Sequence, residues 1–564
     1  MIQSRSAEIG LSLNYSKCTL WSSSSRPITH PNLRAIPTVP STEGVVLLGC
    51  PIGSDAFILR KCTETAIKFG VVCSKLHLVQ HCQVEICILR YCLNVCKAMF
   101  RLRTIPPHLN QLLCASITAS LKKELARLLN SEISESTWFQ ICLPSSMAGL
   151  GLGDPLMVAP SAYVASFLLS IHNVSSLDWP VDLGHGSEGF WKALAAVQFE
   201  SPALKLQIET WSKEGLMDID AKYTKQAWWH THTAQLCLRQ LKSSSMVRDQ
   251  LRLANQTGKF AGSWLSIAPN KTLNTLLPSV DYSNLLRWWL GLPIPGLVTG
   301  KPCCYCSDPL DIFGDHAVSC NTSFLYARHR AVISCLEPLC DLMGLDYTLE
   351  YPVEGKERPA DILIKSWEPG SNLAIDATIF HPLPLSADRG SRNQTSALAD
   401  HEAIKHGRYD SLCERNGILF RPFAINTFGC FGQEAFSLCS NIGKRICRKF
   451  SLPNVLPIVT HYAQLMSFEV MRFVSFQLQI VSAKPSLSLA TTHACTADPP
   501  WIREARADEP CQEENTAENV ALSAEPTDDA ELNNAPMVED SPPLAIHSSI
   551  TSAVEMGCPA MDCH

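Results

Sequence analysis

The sequence predicts a multidomain chain of the α+β or α/β class, in which long helical regions precede a mixed sheet with flanking helices. Apolar residues recur at helical spacing from Arg60 to Leu129, which predicts a mainly helical region there. A strand-like alternation of apolar and polar residues begins at Tyr347. It returns in two further runs, the last of which ends at Ile379, with turn-forming residues between the runs. The chain has 564 residues, of which 46% are hydrophobic, so two or three domains with sizeable cores are expected.

The net charge of −6 comes from the C-terminal end of the chain. From Lys484 onward there are 3 Lys and Arg residues against 15 Asp and Glu residues, whereas the rest of the chain has 44 basic and 38 acidic residues. The body is therefore mildly basic, which is compatible with binding to DNA or RNA. The acidic end is rich in Ala, Pro, Ser and Thr without periodicity, and we expect residues 484–564 to be a disordered tail.

The distribution of the 25 cysteines predicts an intracellular protein, nuclear or cytoplasmic. Cys82, Cys87, Cys92 and Cys96 stand in an apolar helical stretch, where thiols act as small hydrophobic side chains in a reducing compartment. No uninterrupted apolar run reaches the roughly 18 residues that a membrane span needs, and the N-terminus has no apolar signal core. We therefore expect no membrane partner, and the oligomeric state stays open.

A compact group of cysteines and one histidine predicts a structural zinc site. Cys303, Cys306, His316 and Cys320 follow the pattern C-x2-C-x9-H-x3-C, in which the first two thiolates share a tight turn and the last two ligands share a helical face. Cys304 is an alternative first ligand. A chance grouping is the competing explanation, because a chain with 25 cysteines places some of them close together.

Two acids on neighbouring strand-like runs predict a second metal site. Asp361 and Asp376 are each flanked by apolar residues, so they are expected on adjacent strands. Paired carboxylates can hold Mg²⁺ or Mn²⁺, which lowers the pKa of a bound water and neutralises charge on a phosphorane. The alternative is that both acids lie in turns at strand ends.

This order of motifs resembles the C-terminal part of the non-LTR retrotransposon polyproteins, which carry a CCHC zinc knuckle and a restriction-like endonuclease of the PD-(D/E)xK type behind a reverse transcriptase. The matching residues are Pro359-Ala360-Asp361 and Asp376. Thr378 occupies the usual lysine position, but in the retrotransposon branch the lysine lies on the next helix, in a pattern similar to Glu402-Ala403-Ile404-Lys405 followed by Tyr409.

The resemblance implies a role for each of these residues. Asp361 and Asp376 would bind the catalytic Mg²⁺ or Mn²⁺, Lys405 would orient or activate the attacking water, and Glu350 or Glu402 would complete the metal shell. For Glu402 and Lys405, a solvated helix face with ordinary i,i+3 pairing is an equal alternative. The residues that we expect to contact nucleic acid are Lys17, Arg101, Arg103, Arg358 and Tyr409.

The N-terminus resembles the last two palm motifs of a reverse transcriptase. These are the segment 9–18, which contains Lys17, and the segment 45–53, which reads Val-Val-Leu-Leu-Gly-Cys-Pro-Ile-Gly. In the family, the basic helical region that follows is the thumb, and the segment Gly149 to Pro155 is a recurring signature behind it. The family's catalytic aspartates lie upstream of these motifs, so we expect no reverse-transcriptase activity from the sequence as given.

Two functions are open at this point. The chain is either a truncated retrotransposon-derived protein with a metal-dependent DNA-nicking endonuclease, or a catalytically inactive nucleic-acid-binding relic of a reverse transcriptase. The predicted regions are a residual palm (1–58), a thumb-like helical region (59–150), a helical linker (151–297), the CCHC knuckle (298–321), a restriction-like endonuclease (322–480) and the acidic tail (484–564).

Overall fold

The computed structural model describes residues 36–175, 187–198, 201–211, 219–320, 323–355, 358–383 and 394–482, together with residue 216 and parts of the segment 8–34. Residues 1–498 form one compact unit. The described residues mix many helices with small sheets, so the predicted combination of helix and sheet is confirmed. The predicted acidic tail, 484–564, lies outside the described residues.

The N-terminal hairpin lies where the second palm-like motif was predicted. Its two antiparallel strands are joined by Leu48 and Gly49, which have φ values of 49° and 86°. Two consecutive positive φ values form the tight two-residue turn that matches the twist of a hairpin. Lys17 is exposed in a single short helical turn, and its predicted contact with nucleic acid stays a prediction. The N-terminal strands are β1 (Leu20–Trp21), β2 (Thr38–Val39), β3 (Gly44–Leu47) and β4 (Cys50–Gly53).

The region predicted as helical from its periodicity is helical. Pro107 is the first residue of the longest helix in this region, where proline loses no helical hydrogen bond. Arg103 is exposed and donates hydrogen bonds of 2.9 and 2.8 Å to the side-chain oxygen of Gln226, so it contacts the linker region. Arg101 is half-buried. The helices are α1 (Asp55–Cys73), α2 (Cys82–Tyr91), α3 (Met99–Thr104), α4 (Pro107–Leu129) and α5 (Glu135–Cys142).

The glycine-rich segment after α5 ends in a buried acid with a structural role. Asp154 accepts hydrogen bonds from Thr118 Oγ1 (2.8 Å), Trp138 Nε1 (3.0 Å) and the backbone N–H of Leu156 (3.1 Å). These bonds attach the start of the next helix to α4 and α5. The helices of the linker region are α6 (Pro155–Ser175), α7 (Ser187–Ala196), α8 (Pro202–Glu209), α9 (Gln226–Ser244), α10 (Val247–Asn255) and α11 (Ser279–Leu290).

Helix α6 is the one helix among the described residues that is long and apolar enough to cross a membrane, over Pro155–Val174. It is 61% buried against the rest of the protein. Since a core helix also meets the criteria of length and composition, this is weak evidence for a membrane span.

A four-stranded mixed sheet follows the cysteine cluster. Its strand order is β5-β6-β7-β8, with antiparallel pairing up to β7 and parallel pairing between β7 and β8. Each of the three predicted strand runs falls on one of the first three strands of this sheet. The elements are α12 (Asp315–Ser319), α13 (Ser323–Ser334), α14 (Glu337–Met343), β5 (Tyr347–Tyr351), β6 (Ala360–Glu368), β7 (Ser371–Phe380), α15 (Gln394–Arg415), β8 (Ile418–Asn426), α16 (Gln433–Lys449) and α17 (Leu456–Ser482).

One hydrophobic core joins regions that the sequence analysis separated. It contains Leu121 of α4, Trp288 of α11, Cys320 after α12 and Leu478 of α17, all of them buried. Burial of this apolar surface is the main force that holds these elements together. The domain boundaries stay predictions. The shared core shows that the predicted thumb, linker and knuckle pack closely with one another and with α17.

Candidate functional site

The first two cysteines of the cluster lie in a tight turn that the backbone closes on itself. The Cys303 N–H donates to the carbonyl of Asp308 (2.8 Å), and the Ser307 N–H donates to the carbonyl of Cys303 (3.0 Å). Pro302 and Pro309 form an isolated antiparallel bridge across the base of the turn. This closed loop brings Cys303 and Cys306 to the same side.

The other two candidate ligands are presented by the short helix α12. Asp311 accepts backbone hydrogen bonds from Phe313 (2.8 Å), Asp315 (3.2 Å) and His316 (2.7 Å), and so it satisfies N–H groups at the start of the helix. His316 lies in the first turn, and the Cys320 N–H bonds to its carbonyl at 2.8 Å. The helical spacing therefore places His316 and Cys320 on one face.

The four predicted ligand atoms meet at one point. The Cys303 and Cys320 sulfurs are 3.7 Å apart, the Cys320 and Cys306 sulfurs are 3.7 Å apart, and the Cys306 sulfur is 3.3 Å from His316 Nε2. All four atoms lie within 4.8 Å of one another. A tetrahedral zinc with Zn–S bonds of about 2.3 Å separates two thiolates by about 3.8 Å. The cluster could therefore hold a metal such as zinc.

The structure also decides between the two adjacent cysteines. Cys303 is buried and belongs to the cluster, whereas Cys304 is exposed and lies outside it. Burial raises the pKa of the Cys303 thiol, but hydrogen bonds from the backbone of Tyr305 and Cys306 outweigh burial and lower that pKa to about 6. A lowered pKa favours the thiolate of Cys303, which is the form that binds zinc.

The knuckle helix is anchored to two other parts of the protein through Asp315. Arg248 of α10 donates to both carboxylate oxygens of Asp315, at 2.6 and 2.9 Å. His381, which follows β7, lies with its Nε2 3.6 Å from Asp315 Oδ1. The cysteine cluster is therefore connected to the end of the strand that carries Asp376.

The two predicted acids of the sheet lie next to each other. The paired residues Ile362 and Ile375 fix the antiparallel register of β6 and β7, and one step further along it Asp361 is opposite Asp376. Residues that are opposite each other in this way share a face of the sheet, with Cβ atoms about 5 Å apart. Two carboxylates at that spacing offer the hard oxygen donors that Mg²⁺ and Mn²⁺ prefer, so the residues present fit such an ion.

Lys405 of α15 reaches this pair. Its Nζ lies 2.5 Å from Asp376 Oδ2, and Asp376 itself is 5% exposed. Burial is the main cause that raises the pKa of Asp376 to about 6, and the neighbouring Asp361 adds to it, while the hydrogen bond and charge of Lys405 act in the opposite direction. A buried acid with a raised pKa, next to a second acid and a lysine, is characteristic of functional sites.

A fourth residue of this group, His329 of α13, was not predicted from the sequence. Its Nε2 lies 3.0 Å from Asp361 Oδ2 and 3.2 Å from the carbonyl oxygen of Ala377. The sequence gives no signal for this contact beyond the polar residues at the start of α13, because it depends on how α13 crosses the sheet.

Glu402 and Glu350 occupy different places from the pair. Glu402 is buried, and its Oε1 accepts the N–H of Glu434 at 3.0 Å, at the start of α16. Burial raises the pKa of Glu402. Glu350 is opposite Asp361 in the register of β5 and β6, but its φ of 52° interrupts the regular strand there. Their predicted places in the metal shell stay predictions.

The predicted nucleic-acid contacts near the sheet differ in exposure. Arg358 is exposed just before β6. Tyr409 is buried, its ring packs edge-on against Phe420 with centroids 5.6 Å apart, and Lys405 Nζ lies 5.8 Å from the centre of the ring. Arg358 is therefore available to a ligand, whereas the ring of Tyr409 supports the position of Lys405.

A scan of the chain against models of known protein families matches none, and a search among curated proteins finds no significant match. The resemblance to retrotransposon polyproteins therefore rests on the motifs of this sequence.

Proposed function

We propose that residues 323–482 form a divalent-metal-dependent endonuclease that nicks DNA. The observation that supports this function best is the arrangement of Asp361 and Asp376 on one face of two adjacent strands, with Lys405 Nζ 2.5 Å from Asp376. Two carboxylates can hold a divalent metal ion, and in the nuclease family that the chain resembles a lysine beside them orients or activates the attacking water. The cysteine cluster would hold a structural zinc ion.

Each residue has a chemical task in this proposal. Asp361 and Asp376 would hold Mg²⁺ or Mn²⁺, which would lower the pKa of a bound water and neutralise charge on the phosphate. The Lys405 ammonium neutralises the buried Asp376 and lies where it can orient the attacking water or a phosphate oxygen. Glu350, which is opposite Asp361, is the nearest further acid in the register and the candidate for a third ligand.

A second candidate function is that of a nucleic-acid-binding relic without catalysis. The observation that favours it is that Glu402, a predicted member of the metal shell, already bonds to the start of α16. In this case the basic body and the knuckle would still bind DNA or RNA, and binding would weaken with salt because it depends on phosphate contacts.

The test is a plasmid-nicking assay with zinc-loaded protein in Mg²⁺ or Mn²⁺. The parent is compared with the Asp361→Asn, Asp376→Asn double variant and with Lys405→Ala. We expect the parent to convert supercoiled plasmid to the nicked form, and we expect both variants to lose this activity. A folded parent that binds DNA but does not nick it would favour the second candidate.

A further inference from the structure

His329 contacts one of the candidate metal-binding acids from a different helix. Among the described residues, it is the one titratable group outside the predicted site that does so. It lies on α13, the helix that follows the knuckle, and its side chain is 24% exposed. Asp361 Oδ2, its partner, also accepts the backbone N–H of Ala377 at 2.6 Å. One oxygen of Asp361 is thus bound by two donors.

The neighbours of His329 Nε2 fix where its proton lies. Asp361 Oδ2 is 3.0 Å away and the Ala377 carbonyl oxygen is 3.2 Å away, and both atoms can only accept a hydrogen bond when the carboxylate is ionised. Nε2 must therefore carry a hydrogen. A donor in this place holds the Asp361 carboxylate plane in one orientation and leaves its Oδ1 for another ligand.

The helix that carries His329 is itself held firmly. The adjacent residue Arg328 is 2% exposed and donates to Gln477 Oε1 at 2.9 Å. It also lies 3.4 Å from the carbonyl oxygens of Val318 in α12 and Ile379 in β7. Because this buried arginine connects α13 to β7, the imidazole next to it has a defined position relative to the acids.

We propose that His329 is a positioning residue that orients Asp361 for binding of the divalent metal. This inference rests on the proposed function, since it assigns His329 to the same site. Hydrogen-bond partners of metal-binding carboxylates fix the orientation of the ligand, and their loss typically lowers metal affinity or activity by about 10–100-fold. The backbone N–H of Ala377 alone would hold Oδ2 but would leave the carboxylate free to rotate about that bond.

The test measures Mn²⁺ binding directly, by the electron paramagnetic resonance signal of free Mn²⁺, on the zinc-loaded full chain, with nicking measured in parallel. The variants are His329→Ala, which removes the donor, and His329→Gln, whose amide nitrogen lies near the place of Nε2. His77→Ala is the matched control, because His77 is exposed and its ring Nδ1 contacts the local carbonyl of Ser74. The Asp361→Asn, Asp376→Asn double variant gives the baseline without the site.

We expect His329→Ala to weaken Mn²⁺ binding about 10–100-fold, with a thermal midpoint near that of the parent. His329→Gln should restore most of the affinity, and His77→Ala should match the parent. If His329→Ala binds Mn²⁺ as the parent does, the inference is wrong and the proposed function is unaffected. If Mn²⁺ binding falls in His329→Ala but the parent never nicks DNA, the positioning role holds and the nuclease proposal fails. A parent that binds no more Mn²⁺ than the double variant would overturn both.

Discussion

Asp315 in the knuckle helix and Asp376 in the sheet are both buried acids beside a basic side chain, yet their environments shift the pKa of the two acids in opposite directions. Burial raises the pKa of Asp315, but the nearby His381 imidazole and the hydrogen bonds from Arg248 outweigh burial and hold that pKa well below its usual range. Burial raises the pKa of Asp376 to about 6, and Lys405 does not offset it. Asp315 is bound by two nitrogens of Arg248, whereas Asp376 contacts Lys405 and also lies next to a second acid, Asp361.

The comparison separates a structural site from a candidate active site. Around the cysteine cluster, Asp311 accepts hydrogen bonds from three backbone N–H groups, and Asp315 accepts hydrogen bonds from Nε and Nη2 of Arg248, so the acids there stabilise the fold. At the sheet, Asp361 and Asp376 are like charges placed side by side, which is unfavourable without a cation between them. Acids in such perturbed environments cluster at functional sites, so the pair is a candidate for one.

The largest expected effect is the loss of zinc. Replacing Cys303 by Ser removes one of four ligands whose atoms lie within 4.8 Å, so the variant should lose nearly all bound zinc and unfold at a lower temperature. Cys304→Ser is the matched control, because its exposed side chain lies outside the cluster. Zinc released by the denatured proteins gives the stoichiometry. Equal zinc content in both variants would contradict the ligand assignment.

The next effect concerns catalysis. Lys405→Ala should lower the rate of plasmid nicking by about 100-fold, a typical cost of losing one electrostatic or acid–base group. The reason is the 2.5 Å contact of its Nζ with Asp376. Arg408→Ala on the same helix is the control, since Arg408 stacks on the Tyr409 ring and is not assigned to the chemistry. Similar rates for the two variants would argue against a role for Lys405.

The third effect compares the stability of two matched variants. Asp315→Asn should lower the free energy of unfolding by about 3 kcal/mol, which is the lower end of the cost of breaking a buried ion pair. We expect the lower end because Asp249 still contacts Arg248 in the variant. Asp376→Asn should change that free energy by less than about 1 kcal/mol, since Lys405 is partly exposed and can reach water. Urea unfolding measures both. A larger loss in the free energy of unfolding for Asp376→Asn than for Asp315→Asn would contradict the comparison.

The smallest expected effect tests whether a raised pKa alone marks a functional site. Burial also raises the pKa of Asp281 in α11 to about 6, although no second acid takes part. Because this pKa exceeds the usual value of about 3.9, the folded protein favours the protonated acid, and stability is lost as pH rises from about 4 through about 6.

We therefore expect Asp281→Asn to stabilise the protein at pH 7, by at most about 3 kcal/mol, and to make no difference at pH 4. Nicking should be unchanged, because Asp281 is not part of the acid pair. Chemical unfolding of the parent and the variant at both pH values checks the first statement. If the difference in stability between the variant and the parent is the same at both pH values, burial of Asp281 has no such cost.

Much of the site could be predicted from the sequence because its signals are local. The spacing of Cys303, Cys306, His316 and Cys320 requires only one turn and one short helix, and the structure brings all four together. The alternation around Asp361 and Asp376 was enough to place each acid on a strand. Their exact pairing depends on the register, which the sequence pattern leaves open by one or more residues.

The parts that could not be predicted are contacts between distant segments. His329 reaches Asp361 only because α13 crosses the sheet, and Arg248 meets Asp315 across 67 residues of sequence. Glu402 has the spacing of a candidate ligand, but its carboxylate bonds to the start of α16, 32 residues further on. A helical pattern identifies the face of a helix but not the element that packs against that face.

The most direct test of the central claim is the rate of plasmid nicking in Mn²⁺ for four zinc-loaded proteins: the parent, Asp376→Asn, Asp281→Asn and Cys304→Ser. We expect that Asp376→Asn alone loses the activity, while Asp281 and Cys304 can be replaced without loss. Nicking by Asp376→Asn at the parent's rate would contradict the assignment of the acid pair as the catalytic centre.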